Sequence, residues 1–167
     1  SCCRLLPHKN VGLLIRALHY LKEKGMPLSC CIIGGGQESD GLKQLATNLG
    51  IDITFKGYVE SDSEVIAIMK SAKVFAHPSL REGCGCTLPE ANACGLPIVA
   101  IDNPHNSSRD YITKYNTGYL VENDWQDFGG KLLLAVNTPM RDYCISQSKA
   151  LDWQNTTRTF RRIICGL

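Results

Sequence analysis

The sequence predicts an α/β fold: a Rossmann-like parallel sheet with helices on both faces. Three observations predict it. Helical apolar spacings alternate along the chain with short apolar runs. Those short runs end at glycine, proline or a polar loop, as strands feeding turns do. The length, 167 residues, suits one domain with a full core. In such a fold ligands bind beyond the carboxyl ends of the strands.

The elements follow in order. Val11 to Lys24 carries Leu14, Ile15, Leu18 and Leu21 at helical spacing, and Gly25-Met26-Pro27 stops it. Leu28 to Ile33 is a short apolar run before Gly34-Gly35-Gly36 and reads as a buried strand. Leu42 to Leu49 is helical up to Gly50, and Ile51 to Phe55 is a strand closed by Gly57. Ser61 and Glu64 form a capping box before a helix over Val65 to Ser71. Lys73 to His77 is a strand ended by Pro78, Thr87 to Cys94 a short helix ended by Gly95, and Pro97 to Ile101 a strand. Tyr111 opens a connector to a last strand, Gly118 to Val121. Asp124 to Val136 is a helix with Trp125, Phe128, Leu132 and Leu133 toward one side, and Arg141 to Ala150 and Trp153 to Ile164 are two more.

Composition narrows the function classes. Apolar residues make up 44% and charged residues 20%, the balance of an ordinary globular protein. The formal net charge of +2 argues against a nucleic-acid surface built on bulk charge, and Arg158, Arg161 and Arg162 read as a solvated helix face. No apolar run approaches the roughly 20 residues that span a bilayer. No signal peptide is visible, and the opening Ser1-Cys2-Cys3 without Met reads as a partial chain. The nine cysteines show no C-x-x-C and no Cys/His spacing typical of zinc, so reduced thiols and no metal are expected. The expected location is the cytoplasm or, peripherally, the cytoplasmic face of the membrane.

The most informative stretch is Arg81-Glu82-Gly83-Cys84-Gly85-Cys86-Thr87-Leu88-Pro89-Glu90-Ala91-Asn92-Ala93-Cys94-Gly95-Leu96-Pro97-Ile98-Val99-Ala100. Two carboxylates bracket a glycine-broken loop that runs into a helix start. Gly83 and Gly85 allow unusual backbone conformations and close approach to a ligand. With Thr87 as N-cap, free N–H groups near Cys86, Thr87 and Leu88 would face a phosphate. Thr87-x-x-Glu90 is also a capping box, which would explain Glu90 structurally. Upstream, Arg4 and Lys9 precede the first helix, where a guanidinium fork and an ammonium charge suit a diphosphate. Gly34 and Gly36 follow one strand, and Tyr58 and Val59 another.

This pattern resembles the donor site of retaining family 4 glycosyltransferases of the GT-B type: a Glu, seven residues, a second Glu, then Ala-Cys-Gly-x-Pro-Val-Val-Ala. Arg4-Leu5-Leu6-Pro7-His8-Lys9-Asn10 is similar to Gly-Arg-Leu…Glu-Lys-Gly, Phe55-Lys56-Gly57-Tyr58-Val59 to Phe-x-Gly-Tyr-Val, and Val74 to Gly83 to Val-Phe-x-x-Pro-Ser-x-x-Glu-Gly. Cys31-Ile32-Ile33-Gly34-Gly35-Gly36 resembles Val-Gly-x-Gly, and Trp153 the family's closing Trp helix. The resemblance implies that residues 1–167 are a single nucleotide-sugar-binding domain, the C-terminal half of a hexosyltransferase-type enzyme. Its N-terminal acceptor domain would lie outside this chain, and the chain alone would be inactive. Glu90 would bind ribose hydroxyls, Glu82 the donor sugar, and Arg4 and Lys9 the departing diphosphate. Gly34, Gly36, Tyr58, Val59 and the loop from Gly83 through Cys84, Gly85, Cys86 and Thr87 to Leu88 would line the nucleotide. No cofactor beyond the donor, no nucleic acid and no inserted membrane segment is implied.

The chain departs from the pattern at four places. Cys3 and Asn10 stand where the family has Gly, Cys84 replaces a Phe, and Asn103-Pro104-His105-Asn106-Ser107-Ser108-Arg109-Asp110 replaces Gly-Gly-x-x-Glu. The alternatives are a nucleotide-sugar epimerase or a phosphorylase of the same architecture, a glycosidase using Glu82 and Glu90 as its carboxylate pair, and a degenerate non-catalytic interaction module.

Overall fold

A computed structural model describes residues 1–83, 85–152, 154 and 157. The helix expected over Trp153 to Ile164, with the Arg158, Arg161 and Arg162 cluster, falls outside the described residues, apart from Gln154 and Thr157. The elements alternate as expected: α1 (Val11–Glu23), β1 (Cys30–Ile33), α2 (Ser39–Asn48), β2 (Ile53–Gly57), α3 (Asp62–Ser71), β3 (Phe75–His77), α4 (Thr87–Ala93), β4 (Ile98–Ile101), α5 (Ser107–Tyr115), β5 (Gly118–Val121), α6 (Trp125–Asn137) and α7 (Arg141–Ser148). All strand pairs are parallel. The fold is therefore an α/β Rossmann-like domain.

The sheet is not continuous. Among the described residues β1 and β2 form one pair, and β3, β4 and β5 form a second sheet in that order. A cavity of about 480 Å³ separates them, lined by Cys2, Leu28, Cys30, Val74, Phe75 and others. None of the expected site residues lines it. Beside β1, residues 1–5 add a short ladder: Ile33 donates to the Ser1 carbonyl (2.9 Å), Cys3 to Ile33 (3.0 Å) and Leu5 to Gly35 (2.9 Å).

Both faces of the second sheet are covered, and β4 shows why its sequence is apolar throughout. Val99 and Ile101 pack with Leu14, Ala17 and Leu18 of α1 and Phe128 and Leu132 of α6. Ile98 and Ala100 face Leu88, Ala91 and Cys94 near α4, and Ile112 of α5. A third cluster joins Leu5, Val11 and Ile15 to Ile32 and to Leu42 and Ala46 of α2. Contributing to the first and third clusters, α1 spans the gap between the two sheets.

Several boundaries differ from the sequence reading. β2 begins at Ile53, not Ile51, because the Ile51 amide closes the end of α2 on the Ala46 carbonyl (2.9 Å). The connector expected from Tyr111 is the second half of α5, a helix burying only Ser108 and Ile112. It offers no apolar stripe for periodicity to reveal. Its start is marked instead by Asn106, whose side chain accepts from the Ser108 amide. Ser61 caps α3 as expected, accepting from the Glu64 amide (3.3 Å).

Gly34 is fixed by this arrangement. Its φ is +122°, and a Cβ there would lie 1.9 Å from the Cys3 carbonyl oxygen. Gly35, next in sequence, would meet nothing within 4 Å. Gly34→Ala is expected to lower unfolding stability in urea by about 3 kcal/mol or more, and Gly35→Ala by less than about 1 kcal/mol.

Candidate functional site

The site is built around Glu82, just beyond the carboxyl end of β3. Backbone hydrogen bonds fix it in a parallel bridge to Asn106: Glu82 donates to the His105 carbonyl (3.4 Å), and Ser107 donates to the Glu82 carbonyl (3.0 Å). Asn106 is buried and makes three side-chain hydrogen bonds. Its amide donates to the Ser79 carbonyl (2.6 Å), and its oxygen accepts from the Ser108 amide (3.1 Å) and hydroxyl (2.5 Å). Ser79, also buried, donates to the Arg81 carbonyl (3.1 Å), and the Leu80 amide donates to His8 (2.9 Å). The loop after β3 is thereby tied both to the start of α5 and to the turn before α1.

That turn, a 3₁₀ segment over Pro7–Lys9, carries Lys9. The Lys9 ammonium bonds the Glu82 carboxylate, with the two side chains only 11% and 17% exposed. Beneath lies His77, the last residue of β3, 3% exposed, with its ring stacked on Phe75 at 6.2 Å. His77 Nε2 is 3.7 Å from the same Glu82 oxygen and has no hydrogen-bond partner. Burial pushes the His77 pKa down to about 4; Glu82 opposes that shift and Lys9 adds to it. The imidazole is neutral at pH 7. Cys3 borders the pair: its thiol pKa is raised mainly by burial, and also feels the charges of Lys9 and Glu82.

Sequence reasoning singled out Lys9 and Glu82 as candidates, and the structure brings them together. It gave His77, Ser79 and Asn106 no role of their own. Only Asn106 left a recognisable signal, the Asn-x-Ser of a helix cap. The departure at Asn10 is accommodated: its φ is +51°, a left-handed conformation that Asn tolerates in place of Gly, and its side chain donates to Asn123 (3.0 Å).

The loop into α4 requires three corrections. The N-cap is Cys86, not Thr87. Cys86 is helical in backbone and makes no side-chain cap, so Thr87 and Glu90 form no capping box. The Leu88 amide is not free; it donates to Gly85 (3.0 Å). Neither Gly83 nor Gly85 has a positive φ. What these glycines provide is space. A Cβ on Gly83 would meet nothing within 4 Å, whereas one on Gly85 would press on Leu88 (3.3 Å) and Glu82 (3.4 Å). Cys84, between them, lies outside the described residues.

The remaining expected residues make no direct contact with the pair. Arg4 is exposed beside the Gly34–Gly36 turn and has no carboxylate partner among the described residues. Gly34 and Gly36 serve the close approach of residues 3–5: a Cβ on Gly36 would lie 2.4 Å from the Leu5 carbonyl oxygen. Tyr58 is 82% exposed after β2, with Val59 half-buried. Glu90 is exposed on α4; partial desolvation raises its pKa, and Asp62 adds to the rise. Among the described residues no group of three or more His, Cys, Asp or Glu could hold a metal, and Cys2, Cys3, Cys30, Cys31, Cys94 and Cys144 are free thiols.

Two measurements follow. A histidine that is charged when unfolded but neutral when folded contributes stability that is full above its unfolded pKa near 6.5 and is lost as pH falls toward about 4. His77→Phe is expected to flatten that part of the stability-versus-pH curve by on the order of 3 kcal/mol. Asn106→Ala, which strands three buried partners, is expected to lower urea stability by about 2–3 kcal/mol.

Comparison with known proteins gives the frame for this geometry. The family model described as Glycosyl transferases group 1 matches residues 1–151. A GDP-mannose-dependent alpha-(1-6)-phosphatidylinositol monomannoside mannosyltransferase of Mycolicibacterium smegmatis is 35% identical over 106 residues, covering 58% of this chain and 28% of that one. The protein of the same description from Mycobacterium tuberculosis is 34% identical over 128 residues, covering 71% and 32%. The chain thus spans roughly a third of the length of these relatives. The catalytic domain of cholesterol-alpha-glucosyltransferase from Helicobacter pylori superposes with a TM-score of 0.76 at 21% identity, covering 91% of this chain and 96% of that one. The pneumococcal O-GlcNAc transferase solved with UDP and GlcNAc superposes at 0.80 and 24% identity, covering 97% and 34%. The match over residues 1–151 corrects the family designation drawn from the sequence: it is group 1, not family 4. The chain belongs to the Glycosyl transferases group 1 family, and its fold is one half of the GT-B glycosyltransferase architecture.

Proposed function

We propose that this chain is the nucleotide-sugar-binding domain of a retaining sugar transferase, which works with an N-terminal acceptor domain outside residues 1–167. The observation that carries the reading is the Lys9–Glu82 pair. It sets a cation and a carboxylate side by side beyond the strand ends, next to a glycine opening at Gly83. A diphosphate needs the first and sugar hydroxyls need the second.

In this reading Lys9 and the unpaired Arg4 neutralise the charge that grows on the diphosphate as the glycosyl bond breaks. Glu82 accepts hydrogen bonds from the donor sugar, and Glu90, on the adjacent helix, from the ribose. Gly34, Gly36, Tyr58, Val59 and the loop from Gly83 to Leu88 border the nucleotide. The names of the mycobacterial relatives make GDP-mannose the first donor to test. The Lys9–Glu82 pairing, which neutralises one of the two carboxylates, does not favour the glycosidase alternative.

Calorimetry of the full-length protein with UDP, GDP and ADP tests this. Saturable binding of one nucleotide, weakened about tenfold or more by Glu90→Ala, is the expected result; silence with all three overturns the reading. Lys9→Ala is expected to lower kcat on the order of 100-fold, the scale of removing a charge-stabilising donor. Residues 1–167 alone are expected to transfer nothing.

A further inference from the structure

His77 has no part in the functional reading so far, yet its position is unusual. Its Nε2 is buried and unpartnered, a rare state for a polar atom in a folded protein. It points at the one carboxylate oxygen that Lys9 also holds, from 3.7 Å. A shift of about 0.8 Å would bring the two to ordinary hydrogen-bond length. The imidazole stacks on Phe75 at the end of β3, and its short side chain has less reach than those of Glu82 and Lys9. The flexible members of the trio are Glu82 and Lys9.

We propose that His77 is a positioning residue for Glu82: when a diphosphate draws Lys9 away, the His77 Nε2–H donates to the Glu82 carboxylate and fixes it toward the donor sugar. This rests on the reading of Glu82 as the sugar-binding carboxylate. Without ligand, Lys9 neutralises Glu82 and no second donor is needed. With the diphosphate bound, Lys9 has a stronger anion to serve, and the sugar displaces water from Glu82. A carboxylate in so enclosed a place then needs a protein donor. Among the described residues, His77 Nε2 is the buried unpartnered group next to it. Because the imidazole is neutral, it holds the carboxylate by a hydrogen bond without cancelling its charge, and Glu82 keeps its accepting strength toward the sugar.

The test compares nucleotide with sugar nucleotide in the full-length protein, using GDP against GDP-mannose and UDP against UDP-N-acetylglucosamine. The readout is the affinity gained by adding the sugar. His77→Leu is expected to lose about tenfold of that gain, and His77→Gln, whose amide keeps a donor near the Nε2 position, to restore it within about threefold. A purely structural role would not give that rescue at matched Tm. Glu82→Gln is the control. If it abolishes the sugar gain while His77→Leu leaves it intact, the inference about His77 is overturned and the reading of Glu82 stands. If Glu82→Gln also leaves the gain intact, the reading of Glu82 fails. Should both His77 variants fold poorly, the wild-type protein labelled with ¹⁵N-histidine decides. The Hε2 proton of His77 is expected to shift downfield and exchange slowly on adding the sugar nucleotide, and an unchanged resonance overturns the inference.

Discussion

The parallel bridge between Glu82 and Asn106 is the constraint on which the site depends. It fixes a loop residue as firmly as a strand residue, with two backbone hydrogen bonds of its own. Asn106 in turn is held by Ser79 and Ser108, so the loop after β3 and the start of α5 form one unit. A carboxylate presented from that unit has little freedom left in its backbone. Lys9 and His77 can then compete for a single oxygen, because the oxygen stays in reach of both.

Much of this was legible in the sequence. The bounds of β5 are those read from its short run Gly118 to Val121, and α1 buries Leu14, Ile15, Leu18 and Leu21 as their spacing requires. Lys9 and Glu82, 73 positions apart, were both marked by motif. What stayed hidden had weak or misleading local signals. Helix α5 buries too little to show a period. Thr87 and Glu90 have the spacing of a capping box, but the helical turn begins one residue earlier and makes no use of it. His77 is a single imidazole in a short apolar strand, and nothing local distinguishes a ring under a carboxylate from one packed in a core.

The glycines show how the same residue serves different physics. Gly34 and Gly36 admit the backbone of residues 3–5, so their demand is steric and internal. Gly83 has open space where its side chain would be. A motif records only that glycine is present; neighbouring backbone decides whether it is there for the fold or for a ligand.

The division of the strands into two sheets has a mechanical side. Residues 1–5 ladder onto β1, the Lys9 turn follows directly, and Glu82 belongs to the β3–β5 half. The Lys9–Glu82 contact therefore crosses the division, beside α1, which packs against both sheets. An anion that captures Lys9 removes that contact and leaves the backbone tie from Leu80 to His8 in place. The two halves of the domain are thus joined by main chain where a ligand cannot compete and by side chains where it can.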